Sequence, residues 1–267
     1  MSRKSLQSKI KRRKESNMKC KCLIRESIHL TADIYSLRIV SKEMAEQAKP
    51  GQFVSLYCGD HDNLLPRPIS ICEIGEDELR LVYRVVGKGT KEFSGLKAGD
   101  EIEVMGPLGN GFPVEGETPI LVGGGIGIPP MLELAKRFDG KATVVLGYRD
   151  ADNFLLEDFE KVAKVYIATD DGSVGTHGTV VDAMKENVLT GDRVYSCGPT
   201  PMLRGIKAFG LENDIKTYIS MEEKMACGIG ACLACVCNST EVDGHSKVKN
   251  KRICKDGPVF LSTDVEI

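Results

Sequence analysis

Thr118-Pro-Ile-Leu-Val-Gly-Gly-Gly-Ile-Gly-Ile-Pro-Pro130 runs from an apolar stretch into a glycine-rich turn and ends on two prolines. Residues 118–122 read as a buried strand, 123–130 as a turn, and 131–137 as a helix. A dinucleotide-binding turn needs that strand–turn–helix setting, and Gly125, Gly127 and Pro130 hold its key positions. Backbone N–H groups at such a turn can face a phosphate. Proline stands where the fingerprint has its third glycine, a change compatible with starting a helix.

The same texture continues on both sides, over residues 113–213. Stretches 142–147, 165–169 and 193–196 read as strands, and 180–187 and 200–209 as helices. Strands alternating with helices predict a doubly wound parallel sheet. Ser196-Cys197-Gly198-Pro199-Thr200 forms a second strand-to-helix turn, where Cys197 either sits beside a nicotinamide ring or fills the core. Asp170 and Asp171 follow the strand at 165–169. A carboxylate there suits a ribose 2′-hydroxyl and repels a 2′-phosphate, whereas Arg149 pulls the other way.

Upstream, residues 18–112 alternate in short runs with Gly, Pro and Asp between them, as at 34–40, 52–57, 79–86 and 100–105. This predicts a small antiparallel barrel. Two motifs lie within it. Arg67-Pro68-Ile69-Ser70 enters a strand. Its arginine can pair bidentately with a pyrophosphate and its serine can hydrogen-bond a flavin ring, although an ordinary surface arginine reads the same way. Tyr83-Arg84-Val85-Val86-Gly87-Lys88-Gly89-Thr90 either lets backbone amides approach phosphate or is a tight hairpin turn.

Downstream, residues 214–267 are rich in cysteine and loops. Cys227-Gly-Ile-Gly-Ala-Cys232-Leu-Ala-Cys235, with Cys254 further on, has the C-x4-C-x2-C…C spacing of a plant-type [2Fe–2S] cluster. Gly228 and Gly230 can take positive φ, which lets the backbone curl around the cluster. Zinc usually takes paired short spacings, which the four-residue gap fits poorly. A disulfide scaffold needs an oxidising compartment, and no export signal is visible. Cys237 reads as a spectator thiol. Such a cluster moves single electrons, so a donor and an acceptor are expected.

Net charge is −2, but residues 1–17 carry seven Lys or Arg and one acid, leaving 29 basic and 37 acidic residues in the remainder. The folded body is therefore expected to be acidic, with no nucleic-acid surface. The basic segment is expected to be a disordered extension. No apolar stretch reaches membrane-spanning length, since the longest, 120–134, is broken by four glycines and two prolines. Ten cysteines without an export signal point to the cytoplasm. His29, His61, His177 and His245 are scattered and suggest no acid–base pair.

In this order the motifs resemble the ferredoxin–NADP reductase superfamily. The landmarks are Arg67-x-x-Ser70, Gly125-x-Gly127-x-x-Pro130 and Cys197-Gly198-Pro199-x-x-Met202. Over 18–267, and most specifically in Met225–Cys235 and Cys254-Lys-Asp-Gly-Pro-Val-Phe260, the chain is similar to the electron-transfer subunits of class 1B dihydroorotate dehydrogenases. That resemblance implies FAD on the barrel, contacted by Arg67, Pro68, Ile69, Ser70, Arg84, Val85, Val86, Gly89 and Thr90. It implies a [2Fe–2S] cluster on Cys227, Cys232, Cys235 and Cys254, and NAD at Gly125, Gly127, Pro130, Cys197, Gly198 and Pro199. It also implies a partner, the FMN-containing dihydroorotate-oxidising subunit, in a heterotetramer of two of each chain. Ile69 stands where the wider superfamily often has a tyrosine stacked on the flavin. Related reductase subunits of hydrogenases, sulfur or sulfide reductases and ferredoxin–NADP transhydrogenases join the same modules, and a zinc-holding regulator is a further alternative.

Overall fold

The computed structural model describes residues 18–59, 64–242 and 247–267. The basic segment 1–17, His61 and His245 lie outside the described residues. Six strands close the N-terminal barrel: β1 (Met18–His29), β2 (Ile34–Val40), β3 (Phe53–Tyr57), β4 (Arg67–Ile74), β5 (Glu78–Arg84) and β6 (Glu101–Leu108). Their order is β1-β2-β5-β4-β3-β6, and every pair is antiparallel. Alternation along the strands turns Cys22, Ile24, Leu37, Ile39, Val54 and Leu81 into one apolar interior. Two short helices interrupt the strands. Helix α1 (Lys42–Gln47) starts where the Ser41 hydroxyl accepts the Met44 N–H, and α2 (Lys88–Phe93) follows β5.

The second module is a seven-stranded sheet ordered β10-β9-β8-β7-β11-β12-β15. Strands β7 (Pro119–Gly124), β8 (Thr143–Tyr148), β9 (Lys164–Thr169), β10 (Thr176–His177), β11 (Arg193–Cys197) and β12 (Lys216–Ser220) run parallel. Helices α3 (Pro129–Lys136) and α4 (Leu156–Glu160) cover one face, and α5 (Val180–Glu186) and α6 (Thr200–Glu212) the other. Period-two alternation sorts the faces: Leu121 and Val144 pack with Met131 and Phe159, whereas Ile120, Val122 and Val145 pack with Ala183 and Ile206. Five-residue α4 has too little length for a helical period to show in sequence.

The segment 214–267, read above as one cluster module, divides in the structure. Its first strand, β12, is the parallel neighbour of β11, and β15 (Val259–Leu261) closes the sheet edge antiparallel to β12. Between them hang the cysteine loop and a two-stranded ribbon of β13 (Val236–Asn238) and β14 (Asn250–Arg252). The boundary moves because Thr217 and Ile219 are buried against the sheet. Sequence local to the cysteines carries no sign of that.

A polar seam joins the first two modules. Arg80, on the barrel, donates to Glu73 at 2.7 Å and to Asp158 of α4 at 2.8 Å. Lys136 of α3 donates to Glu73 at 2.9 Å, and the buried Glu133 accepts the Ile74 N–H at 2.9 Å. Burial pushes the Glu73 carboxyl up, but Arg80 and Lys136 more than offset it and hold the group below its ordinary value of 4.5. The anion therefore stabilises the fold above that value, and the stabilisation is lost as pH falls through the lower folded value. Glu73→Gln is expected to cost about 1–3 kcal/mol at pH 7. Thermal unfolding of both proteins from pH 7 to pH 3 checks this, and a gap that stays constant across the range contradicts it.

Candidate functional site

A cavity of about 370 Å³ opens where barrel, sheet and cysteine loop meet. From β4 it takes Arg67, Pro68, Ile69 and Ser70, and from β5 and the turn after it Tyr83, Arg84, Val86 and Thr90. The opposite wall comes from Ile126 in the glycine-rich turn, from residues 220–223, and from Met225 and Pro258. Two of the barrel residues expected here stand behind the lining. Val85 is held by its N–H to the Asp33 carbonyl at 2.8 Å. Gly89 lies under Arg67, where an added Cβ would come within 2.7 Å of the guanidinium Nε. Thr90 ties its own turn, accepting the N–H groups of Val86 (3.0 Å) and Gly87 (3.2 Å). The Tyr83 ring packs with Tyr35 and Phe93 in the barrel interior, and its buried hydroxyl has no hydrogen-bond partner among the described residues. One cavity lined by an arginine suited to a pyrophosphate and a serine suited to a flavin ring has the groups that a flavin dinucleotide needs.

A second cavity, about 240 Å³, lies at the carboxyl ends of β7, β8 and β9 and shares Arg84 with the first. Its lining includes Gly125, Arg149, Asp170, Thr179 and Pro199. Through Pro199, which follows β11, the lining also reaches the border of β7 and β11 where strand order reverses, the usual nucleotide crevice of such sheets. Gly127 does not line it. An added Cβ there would stand 2.3 Å from the Cys197 carbonyl oxygen, so this glycine lets two turns touch. Pro130 is buried in the first turn of α3. Cys197 is buried as well, and burial pushes its thiol far up, so it fills the core beneath the second turn. Gly198, with Pro199, faces a third cleft of about 620 Å³ beside α6 and β13.

Three of the cysteines lie on a curled loop, and Cys254 meets it from a second loop. Gly228 and Gly230 have φ of +70° and +81°, as the tight curl requires. Amides point at the sulfurs: Ile229, Ala231 and Cys232 donate to Cys227 Sγ at 3.5, 3.3 and 3.4 Å. Gly230 donates to Cys254 Sγ at 3.1 Å, and Cys254 to Cys235 Sγ at 3.4 Å. Partial burial pushes the Cys227 thiol up, but these amides win and bring it down to about 6. Cys254 is pushed up to about 12, by burial and then by the neighbouring Cys235. Among the described residues no three metal-binding side chains converge on one ion position. A binuclear cluster shares its four thiolates between two irons, and the N–H···S donors suit it. Cys235 and Cys254 are buried, Cys232 is exposed, and Cys237 lines the third cleft.

Sequence motifs reached the barrel wall of the flavin cavity, but not residues 220–223, Met225 or Pro258 as its far wall. Nothing local marks those residues, because they meet the barrel only through tertiary packing. Met225 precedes Cys227 by two positions and Pro258 follows Cys254 by four, so the loops holding the cysteines also wall the cavity.

The model for the "iron-sulfur cluster binding domain of dihydroorotate dehydrogenase B" matches residues 222–266. A dihydroorotate dehydrogenase B (NAD(+)) electron transfer subunit of Fusobacterium nucleatum is 45% identical over 262 residues, spanning 92% of this chain and 98% of that one. The corresponding subunit of Caldanaerobacter subterraneus is 39% identical, spanning 92% and 98%. Among solved structures, a chain of the NADH-dependent reduced ferredoxin–NADP oxidoreductase superposes with a TM-score of 0.82 at 30% identity, over 92% of this chain and 89% of that one. A Malassezia yamatoensis flavohemoglobin, at 18% identity, 80% and 63% coverage and a TM-score of 0.63, shares the fold. With identity this high along almost the full length of these relatives, the chain belongs to the family of dihydroorotate dehydrogenase B electron-transfer subunits.

Proposed function

We propose that this chain carries electrons from an FMN-containing, dihydroorotate-oxidising subunit through a [2Fe–2S] cluster and FAD to NAD⁺ in pyrimidine biosynthesis. The observation that carries the reading is the shared wall: loops that hold the cysteines also line the flavin cavity through Met225 and Pro258. Short separation is what single-electron transfer between the two groups needs. FAD, when bound, collects single electrons and releases them as a hydride. The residues of this chain bind and orient. Arg67 holds the pyrophosphate, Ser70 offers its hydroxyl to the flavin, and Ile69 provides an apolar face. Cys227, Cys232, Cys235 and Cys254 ligate the irons.

At the second cavity, Gly125 and Pro199 flank the dinucleotide and Asp170 takes the ribose hydroxyls. The partner docks near the exposed Cys232, where Ile229 and Leu233 also leave apolar surface uncovered. We place two copies of each chain in the assembly, in the cytoplasm; no helix among the described residues is long and apolar enough to cross a membrane. A ferredoxin–NADP oxidoreductase role is the second reading, favoured by the 30% identity to that enzyme's chain.

Anaerobic NAD⁺ reduction by dihydroorotate is expected only when this chain and its FMN subunit are both present, and is expected to vanish in Cys232→Ser. If both chains are loaded and associated yet form no NADH, the second reading takes over. Gly89→Ala is expected to displace the Arg67 guanidinium and weaken FAD retention about 10–100-fold, the worth of one charge-assisted hydrogen bond. Flavin release on dilution measures it, while an unchanged thermal midpoint excludes unfolding. Asp170→Ser removes a charge that repels a 2′-phosphate, so the preference for NADH over NADPH is expected to fall at least roughly fivefold, about 1 kcal/mol or more. Diaphorase assays with both cofactors decide this.

A further inference from the structure

The cysteine loop and the loop carrying Cys254 lie far apart in sequence, and one side chain ties them. Arg252 forms a two-fingered pair with Asp256, Nε to Oδ2 at 2.9 Å and Nη2 to Oδ1 at 2.9 Å. Asp256 Oδ2 also accepts the Arg252 backbone N–H at 2.8 Å, which closes a tight turn around Cys254. The third nitrogen, Nη1, donates to the Gly230 carbonyl at 3.3 Å. That carbonyl belongs to the same peptide unit as the Ala231 N–H, which points at Cys227 Sγ at 3.3 Å. On its other side Gly230 donates its own N–H to Cys254 Sγ. A cation on a carbonyl polarises the peptide and strengthens the hydrogen bond that its N–H gives.

We propose that the Arg252–Asp256 pair sets the reduction potential of the cluster, by aiming and polarising the 230–231 peptide against Cys227. The proposal rests on the four cysteines being the ligands, as above. Each transfer adds one electron, centred on iron, and no proton, so the cluster as a whole gains one negative charge, which its sulfurs share in part. Donors and positive charge beside those sulfurs favour the reduced form, and negative charge opposes it. Arg252 therefore raises the potential and Asp256 moderates it. Both are positioning residues, because neither side chain is a ligand. The charges work against each other, so removing one or the other moves the potential in opposite directions. Both side chains are about a third exposed, which limits each effect by solvent screening.

The test is an EPR-monitored redox titration of the FAD-loaded chain with its partner, comparing wild type with Arg252→Gln, Arg252→Lys and Asp256→Asn. Iron, sulfide and flavin contents are matched beforehand. Arg252→Gln is expected to lower the reduced-to-oxidised ratio at a fixed potential by about three- to tenfold, tenfold being about 59 mV. Asp256→Asn is expected to raise it, and Arg252→Lys to fall between wild type and Arg252→Gln. If Arg252→Gln fails to hold a cluster, the lysine and asparagine variants still give the two signs. Shifts of one sign in both positions, or none, overturn the proposal and leave a purely structural clasp. A loaded wild type without a [2Fe–2S] signal overturns the cysteine assignment, and the proposal with it.

Discussion

Two thiols, Cys235 and Cys254, are buried in the same apolar core as Phe53 and Leu108 of the barrel and Ile219 of the sheet. This shared core is the constraint on which the arrangement depends. A cluster held by an independent module would swing relative to the flavin cavity. Here two of the four cysteines are packed among side chains from all three parts of the chain. Moving the cluster would mean opening apolar surface to water, and interiors packed at crystal-like density transmit such strain instead of yielding. Asn110 adds a polar tether from the barrel side, its amide donating to the carbonyls of Lys255 (3.3 Å) and Asp256 (2.9 Å).

Barrel and sheet are locked by different means. Ile34, Cys72 and Val82 leave the barrel wall to join the core beneath α3, and the Arg80–Glu73–Asp158 network rims that contact. An apolar contact alone tolerates sliding, whereas charged side chains with several partners define orientation. The two cavities share Arg84, which pairs with Asp33 at 3.0 Å. Arg84 therefore sits at the boundary between the two cavities.

Much of the architecture was legible before any coordinates. Alternation at 34–40 identified a barrel strand, and the apolar run before Gly123 identified a buried strand of the sheet. Both patterns arise from local backbone geometry and burial on a face. Arg67–Ser70 and Gly125 were also legible as lining residues, because their motifs need only the strand or turn in which they lie. Gly127 was read as a phosphate contact, and it stands outside the lining of the second cavity. Its glycine character reports the approach of Cys197, from a turn seventy positions away. Cys197 was left open between cofactor and core, and the structure places it in the core. Residues 216–220 read as part of the cluster module because the cysteines dominate their surroundings in sequence, while the packing that claims them comes from β11.

By itself, the sequence determined which residue types stand at which spacing: four cysteines able to share two irons, a turn open to a dinucleotide, and two periodicities that separate barrel from sheet. Those are short-range properties, set by chain geometry over a few residues. Only the tertiary structure decided that β12 and β15 enclose the cysteine loop, that Met225 and Pro258 wall the flavin cavity, and that Arg252 reaches the Gly230 carbonyl. Each of these depends on segments brought together by burial of a common core, and no local pattern encodes which distant surface that core will include.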